Sequence, residues 1–313
     1  MQCDAPMFRP FSLLILGIIA LIPACENSSR PGRSGADTNT SASATTNLVI
    51  YQVKGVVADV TPEKNIVRIK HEAVPGYMGA MTMDFSVRDK KELEGLEAGY
   101  PVEFRMLVTD TDGWIDQIRK TGPKTNVLPT SGPVRIVREV EPLAEGDPLP
   151  DLTFTNQLGQ AFSISQYKGQ ALAIEFLFTR CPFPTFCPLL ANNFGEAQKA
   201  LAEKAGGPTN WQLLTITFDP EFDTPAVLKN YAEMHRYDPK HWTFATGNLE
   251  QITTFGQQFG LAFWRDEPNS LPNHNLRVAV INHDGRVRKI IVGNEWKSEE
   301  LVDEMVKAAG AGK

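Results

Sequence analysis

The sequence contains few residues that bind metals tightly or form disulfides. Its 313 residues include 4 cysteines and 5 histidines. Cys3 precedes an N-terminal apolar segment and Cys25 directly follows it, so Cys181 and Cys187 are the only thiols left for the rest of the chain. Any thiol chemistry of the mature protein therefore depends on this pair.

The sequence also lacks a long apolar run and a strong excess of one charge. Residues 11–24 form an apolar run of about fourteen residues, which is too short to span a bilayer comfortably as a helix. The net charge is −6 and the sequence pI is about 5.5, with acidic and basic residues interspersed and no basic stripe. This charge distribution argues against nucleic acid as a partner.

The N-terminal run has the pattern of an export signal. Arg9 precedes it, and it ends in Leu-Ile-Pro-Ala-Cys, with Cys25 last. That ending resembles a bacterial lipobox, in which Cys25 would be diacylated and become the mature N-terminus, whereas ordinary cleavage after Ala24 is the alternative. Both readings predict an exported protein on the periplasmic side of a bacterial membrane, and the first adds a lipid anchor to the membrane. Cys181 and Cys187 would then lie in an oxidising compartment.

Composition changes divide the remaining chain. Residues 26–47 are mostly Ser, Thr, Gly, Asn and Ala and cannot bury a core. A Pro- and Gly-containing stretch from Thr121 to Pro133 indicates a boundary between two domains. The sequence therefore predicts an export signal at 1–24, a flexible tether at 25–47, a first domain at 48–121, a linker at 122–141 and a second domain at 142–313.

The first domain has the two-residue periodicity of short β-strands. Val67, Ile69 and His71 share one face of a predicted strand, and Met81 and Met83 share a face of the next. Five such segments with no long helix predict a small all-β, five-stranded, OB-like closed barrel.

A soft metal site is one interpretation of the strand pair in this domain. A connecting loop can bring His71 beside Met81 and Met83, and two thioethers with one imidazole favour monovalent copper or silver over zinc, calcium or magnesium. Thioethers bind without losing a proton, so such a site would work at mildly acidic pH. The alternative is that the methionines only fill the core, as methionines usually do.

Residues 51–120 resemble the CusF family of small periplasmic copper- and silver-binding barrels. His71, Met81, Thr82 and Met83 match the family's His…Met-X-Met ligand pattern. The resemblance implies that this domain binds copper. It departs at Met78, where the family has a tryptophan that caps the metal, so Met78 would supply a third thioether or leave the site more open.

The second domain alternates strands and helices, which predicts an α/β thioredoxin-like fold with helices on both faces of the sheet. Residues 171–178 form a nearly continuous apolar strand, and apolar residues from Leu190 to Leu201 recur at helical spacing. Thr224 and Pro225 have the pattern of an N-cap followed by the first helical residue. Further strands are predicted at 213–218, 276–281 and 287–292, and a last helix from about Ser298.

This domain resembles the SCO/SenC family of thioredoxin-fold copper chaperones for cytochrome oxidase. The matching features are the cysteine pair before the first long helix, the segment from Phe218 to Pro225, and His274 ahead of a turn. The resemblance implies that Cys181, Cys187 and His274 are copper ligands, for Cu(I), Cu(II) or both, and that Asp219 contributes to copper handling or forms the turn. It departs in the cysteine spacing, because the family has three residues between the cysteines and this chain has five.

The wider spacing has a geometric consequence. Residues six apart on a helix point in different directions, so Cys181 is predicted in the loop and Cys187 at the helix start. That arrangement is compatible with a metal chelate, a redox disulfide or a purely structural disulfide. His235, His241 and His283 have the pattern of surface or helix-end histidines.

Three functions remain open from the sequence. The first is a chaperone that delivers copper to the binuclear site of the copper-bearing subunit of cytochrome c oxidase, or to another periplasmic copper protein. The second is an enzyme, a thiol-disulfide oxidoreductase with Cys181 and Cys187 as attacking and resolving thiols in either order. The third is a copper sequestration protein for resistance. If both metal sites exist, the linker would let copper pass from the first domain to the second.

Overall fold

The computed structural model describes residues 47–125, 140–265 and 270–310, which belong to one compact unit. The predicted export signal, Cys25, most of the tether and most of the linker lie outside the described residues. Within the described part of the chain, no helix is long and apolar enough to cross a membrane.

The N-terminal domain is a five-stranded antiparallel sheet with strand order β3-β2-β1-β4-β5, as the two-residue periodicity predicts. His71, Met81 and Met83 are all buried on its inner face. The strands are β1 Val49–Thr61, β2 Ile66–His71, β3 Met81–Ser86, β4 Pro101–Val108 and β5 Gly113–Lys120.

The two edge strands of this sheet approach each other but do not form a paired ladder. An isolated parallel bridge joins Val87, directly after β3, to Ile115 of β5. The structure therefore shows the predicted five-stranded sheet but not a closed barrel, and a seam lies between its edge strands near Gly113.

The C-terminal domain contains a seven-stranded mixed sheet of order β14-β13-β8-β9-β10-β6-β7 and a separate two-stranded pair, β11 and β12. Strands β8, β9 and β10 are parallel, and β13 joins β8 antiparallel. The strands are β6 Thr153–Asn156, β7 Ala161–Ser163, β8 Ala171–Leu177, β9 Trp211–Thr217, β10 Trp242–Thr246, β11 Phe263–Trp264, β12 Asn273–His274, β13 Arg277–Ile281 and β14 Val287–Val292.

Four helices pack with this sheet and complete the predicted α/β domain. Thr224 caps the second, because its hydroxyl accepts a hydrogen bond from the backbone N–H of Val227 at 3.4 Å and Pro225 follows it. The helices are α1 Cys187–Glu203, α2 Pro225–Met234, α3 Leu249–Gln258 and α4 Ser298–Ala308. Strand β8 is buried along its whole length, which places the loop that follows it at the edge of the core.

Candidate metal centre

The cysteine pair lies where the buried central strand gives way to the first long helix. Strand β8 ends at Leu177, Cys181 lies in the following loop, and Cys187 is the first residue of α1. The predicted placement of the two cysteines is therefore confirmed. Neither cysteine is in a disulfide; Cys187 is buried and Cys181 is partly exposed.

His274 reaches the cysteines from the β11–β12 pair, in which it is paired with Phe263. Its Nδ1 lies 3.0 Å from the carbonyl oxygen of Asn275, a position suited to an Nδ1–H donor. The other ring nitrogen, Nε2, lies 3.7 Å from Sγ of Cys187. Fixing one ring nitrogen with a backbone acceptor leaves the lone pair of the other available to a metal.

The three side chains form a compact donor set. The Sγ atoms of Cys181 and Cys187 and a ring nitrogen of His274 all lie within 4.8 Å of one another. Metal–sulfur bonds of about 2.3 Å allow two donors on one ion to be up to about 4.6 Å apart. The donors are therefore close to chelating distance, and small side-chain movements would bring them onto one ion.

An aromatic wall surrounds the imidazole of His274. Its ring centroid lies 5.0 Å from that of Phe218, 5.5 Å from that of Phe178 and 5.9 Å from that of Phe186. Such a wall limits water around the ligands and fixes the ring orientation. Two sulfurs and one imidazole in an apolar pocket suit copper better than hard cations.

The two thiols differ in acidity. Burial opposes ionisation of Cys181, but a hydrogen bond from Cys187 and the neighbouring His274 hold its pKa well below the usual thiol range. Burial and the neighbouring charge of Cys181 raise the pKa of Cys187 well above it. The pair therefore favours one shared proton, with the negative charge on Cys181.

Asp219 does not lie in the donor set, because two arginines occupy its carboxylate. Arg180 donates to one oxygen at 2.6 Å and Arg265 to the other at 2.5 Å, and the Asp219 side chain is buried. Arg180 directly precedes Cys181, so the ion pair fixes the start of the cysteine loop. The nearby Asp223 also anchors this loop by accepting a hydrogen bond from the backbone N–H of Thr179 at 3.0 Å.

Sequence reasoning missed Glu175, a buried carboxyl group on β8. Thr215 donates a hydrogen bond to one of its oxygens at 2.6 Å, and the other oxygen has no hydrogen-bond partner within the described structure. Burial raises the pKa of Glu175 to about 8. A charged residue in the middle of an otherwise apolar strand was the available signal.

The predicted soft-site residues of the N-terminal domain lie on neighbouring strands. His71 pairs with Met81 across β2 and β3. Met78, Met81 and Met83 are buried in one apolar cluster, and the buried His71 ring contacts Phe85 of that cluster edge to face, with centroids 5.7 Å apart. Nδ1 of His71 lies 2.7 Å from the carbonyl oxygen of Glu72, and its Nε2 is buried with no hydrogen-bond partner in the described structure. Burial lowers the pKa of His71, which keeps the imidazole neutral and able to bind a metal.

The other three histidines have different structural roles. His235 is the C-cap residue of α2, and the ring of His241 stacks on Trp211 with centroids 4.0 Å apart. Nδ1 of His283 lies 3.0 Å from the carbonyl oxygen of Ala308. These contacts fit the predicted surface and helix-end positions.

Comparison with known proteins divides the chain in the same way. Residues 144–310 match the family model SCO1/SenC, and residues 50–120 match the model of the copper binding periplasmic protein CusF. The SCO1 protein homolog of Bacillus subtilis is 28% identical over 159 residues, which cover 50% of this chain and 80% of that protein.

Solved structures of similar proteins match about half of the chain. A SCO1/SenC family lipoprotein from Bacillus anthracis is 29% identical with a TM-score of 0.46, covering 52% of this chain and 95% of that one. Yeast Sco1 with copper bound is 24% identical with a TM-score of 0.43, covering 52% of this chain and 87% of that one.

The family match spans more than half of the sequence and contains the whole Cys-Cys-His group. The matched families are copper-binding families, and the donor set fits copper. The chain belongs to the SCO1/SenC family of copper-binding proteins and carries a CusF-like domain in front of its thioredoxin-like domain.

Proposed function

We propose that this protein is a periplasmic copper chaperone that delivers copper to the binuclear copper site of cytochrome c oxidase during assembly. Copper is its cargo, held by Cys181, Cys187 and His274. The observation that carries the proposal is the mutual distance of these donor atoms, all within 4.8 Å.

The chemistry of the donor set supports binding followed by release. Thiolates hold Cu(I) strongly, and the imidazole lets the site accept Cu(II) as well. His274 is only partly buried, so a partner's thiols would reach the ion from the side of this ligand. A recipient that replaces one ligand at a time would take the copper without leaving the ion free in solution.

A second Cu(I) site belongs to the proposal. His71, Met81 and Met83 would hold the ion, with Met78 as a further thioether in place of the family's tryptophan. The burial of the three methionines in one cluster supports this assignment, as does the buried Nε2 of His71, which has no hydrogen-bond partner among the described residues. Neutral thioethers bind Cu(I) less strongly than a thiolate pair, so copper would pass from the first site to the second while the cysteines are reduced.

The proposed location is the periplasmic side of a bacterial membrane. The CusF-like match, to a periplasmic copper-binding protein, supports it. Diacylation of Cys25 would anchor the chain to that membrane.

The unequal thiols favour one further candidate, a thiol-disulfide oxidoreductase. The Cys181 thiolate would attack a disulfide of the oxidase copper site and form a mixed disulfide. Cys187 would then lose its proton and attack Cys181, which releases the substrate as a dithiol and leaves a Cys181–Cys187 disulfide. The presence of His274 fits both functions, because a copper ligand is needed for the first and a group that lowers the pKa of Cys181 helps the second.

Transfer to a recipient domain tests the proposed function. The reduced, copper-loaded protein is mixed with the reduced, copper-free oxidase domain that contains the binuclear copper site. Native mass spectrometry then measures how much copper each protein holds. We expect copper to move to the recipient, and the Cys181→Ser, Cys187→Ser variant to deliver none. Copper that stays on the wild-type protein would contradict delivery. Reduction of a disulfide-containing recipient by the copper-free protein would instead support the oxidoreductase.

A further inference from the structure

Phe183 lies in the five-residue segment between the cysteines, yet it is buried in the core of the other domain. Its side chain is 2% exposed and belongs to the apolar cluster of the CusF-like sheet, together with Met81 and Met83. Phe183 also contacts Phe186 edge to face, with ring centroids 5.7 Å apart. The segment that makes the cysteine spacing unusual therefore connects the two domains.

The sheet has a pocket for the Phe183 ring at the seam between its edge strands. The Phe183 ring packs edge to face on Phe85 of β3, with centroids 5.9 Å apart. On the other side it lies against Gly113 of β5, where an added Cβ would come within 2.6 Å of its Cζ atom. Glycine at 113 leaves the space that the phenyl ring fills.

Two hydrogen bonds flank the buried ring. The hydroxyl of Tyr77 donates to the carbonyl oxygen of Pro182 at 3.0 Å. The backbone N–H of Thr82, on edge strand β3, donates to the side-chain oxygen of Asn273. Asn273 is completely buried, so this bond joins the edge strand of the sheet to the interior of the other domain.

These contacts place the two proposed copper sites side by side. Tyr77 precedes Met78, and its partner Pro182 follows Cys181. Thr82 lies between the two ligand methionines of β3, and its partner Asn273 precedes His274. Each hydrogen bond thus joins an immediate neighbour of one ligand set to an immediate neighbour of the other.

We propose that Phe183 is a docking anchor that holds the CusF-like domain on the cysteine loop, and that Cu(I) passes between the two sites across this contact. This inference rests on the proposed function for its copper step. In that step Cu(I) exchanges thioether and imidazole ligands for two thiolates, the remaining thiol proton goes to solvent, and the copper keeps its oxidation state. The two additional residues between the cysteines supply the length that carries Phe183 into the seam.

Amide exchange of Thr82 tests the docking, because its N–H on the edge strand donates to Asn273. Two substitutions are made in the mature, reduced protein. Phe183→Ala removes the ring, and Gly113→Val fills the space that the ring occupies. Neither changes a proposed copper ligand. Both should raise exchange at Thr82 at least tenfold. Phe183→Leu should retain most of the protection. Gly79→Ala is the matched control, because a Cβ there would meet no neighbour within 4 Å. Unchanged exchange in both anchor variants would overturn the docking role of Phe183.

A partition experiment tests the copper step. The cysteines are first oxidised, one equivalent of Cu(I) is loaded on the sheet site, and a phosphine reductant is added together with a Cu(I) chelator. In the wild type and Gly79→Ala, most copper should reach the cysteines. In Phe183→Ala and Gly113→Val, the chelator should capture at least five times more copper than it does with the wild type. Equal capture in all four proteins would overturn transfer across the contact.

A direct control separates this inference from the proposed function. Cu(I) is offered to a reduced variant in which His71, Met81 and Met83 are replaced but Phe183 and Gly113 are kept, and binding at the cysteines is measured. Absence of binding there would refute the chaperone function and with it the copper step, whereas the exchange result still decides whether Phe183 is the anchor.

Discussion

The backbone N–H of Thr82 donates a hydrogen bond to the side-chain oxygen of Asn273. Thr82 lies on an edge strand between Met81 and Met83, and Asn273 is the neighbour of His274. An edge strand presents unpaired N–H groups, and this one is used by the other domain. One hydrogen bond therefore joins the strand that carries Met81 and Met83 to the β11–β12 pair that carries His274.

We expect the two thiols to react at very different rates. The lowered pKa of Cys181 favours its thiolate, whereas the raised pKa of Cys187 favours its protonated thiol, and the thiolate is the reactive form. Iodoacetamide at pH 7 should therefore modify Cys181 first, as measured by peptide mass spectrometry.

His274→Ala is the control for this cause. It removes a neighbour that lowers the pKa of Cys181, so alkylation of Cys181 at pH 7 should slow and recover at higher pH. Equal rates for both cysteines in the wild type would show that the thiols do not share a proton as described.

Silver should bind to one face of the N-terminal sheet. In a Cys181→Ser, Cys187→Ser background, an NMR titration with Ag(I) should shift the methyl signals of Met81, Met83 and Met78. Met106 is the internal control, because it is fully buried in the same cluster on β4. If only the Met106 signal shifts, or if Ag(I) does not bind although His71 is intact, then Met78, Met81 and Met83 are not metal ligands and only fill the core.

Stability should fall as the pH rises through the range in which the unfolded Glu175 ionises and the folded one does not. Its pKa rises from 4.5 to about 8 on folding, so the folded state keeps a proton that the unfolded state releases. The Glu175 contribution is thus fully present below about pH 4.5, declines up to about pH 8 and is constant above it.

Glu175→Gln should remove this part of the pH dependence. Chemical denaturation at pH 5 and pH 8 should show a smaller difference in unfolding free energy for this variant than for the wild type. Glu203→Gln, an exposed glutamate on α1, is the matched control and should behave like the wild type. The same difference in all three proteins would refute a neutral Glu175.

Asp219→Asn should weaken the fold more than copper binding. The substitution removes the negative charge that pairs with both Arg180 and Arg265. Because both arginines are partly solvated, we expect the unfolding free energy to fall by only about 1–2 kcal/mol. Because the carboxylate is outside the donor set, Cu(I) affinity should change less than tenfold. Asp303→Asn on the exposed face of α4 is the control. A loss of copper binding comparable to that of a cysteine variant would make Asp219 a ligand.

Local patterns predicted the elements and the ligand faces, because periodicity is a local property. Alternation along β2 and β3 put His71, Met81 and Met83 on one side, and the six-residue step between the cysteines put Cys187 at a helix start. The contact of Phe183 with Gly113 could not be predicted in this way. It joins residues of different domains, and neither residue carries a local signal of its partner.

Cu(I) titration of the reduced protein against a competing chelator tests the central claim most directly. The chain from Glu26 onward is used with His71, Met81 and Met83 replaced, so that Cys181 and Cys187 are the only thiols and one site remains. We predict one tightly bound Cu(I), weakened by orders of magnitude in Cys181→Ser, in Cys187→Ser and in His274→Ala. Unchanged copper binding in the Cys181→Ser, Cys187→Ser double variant would contradict the account.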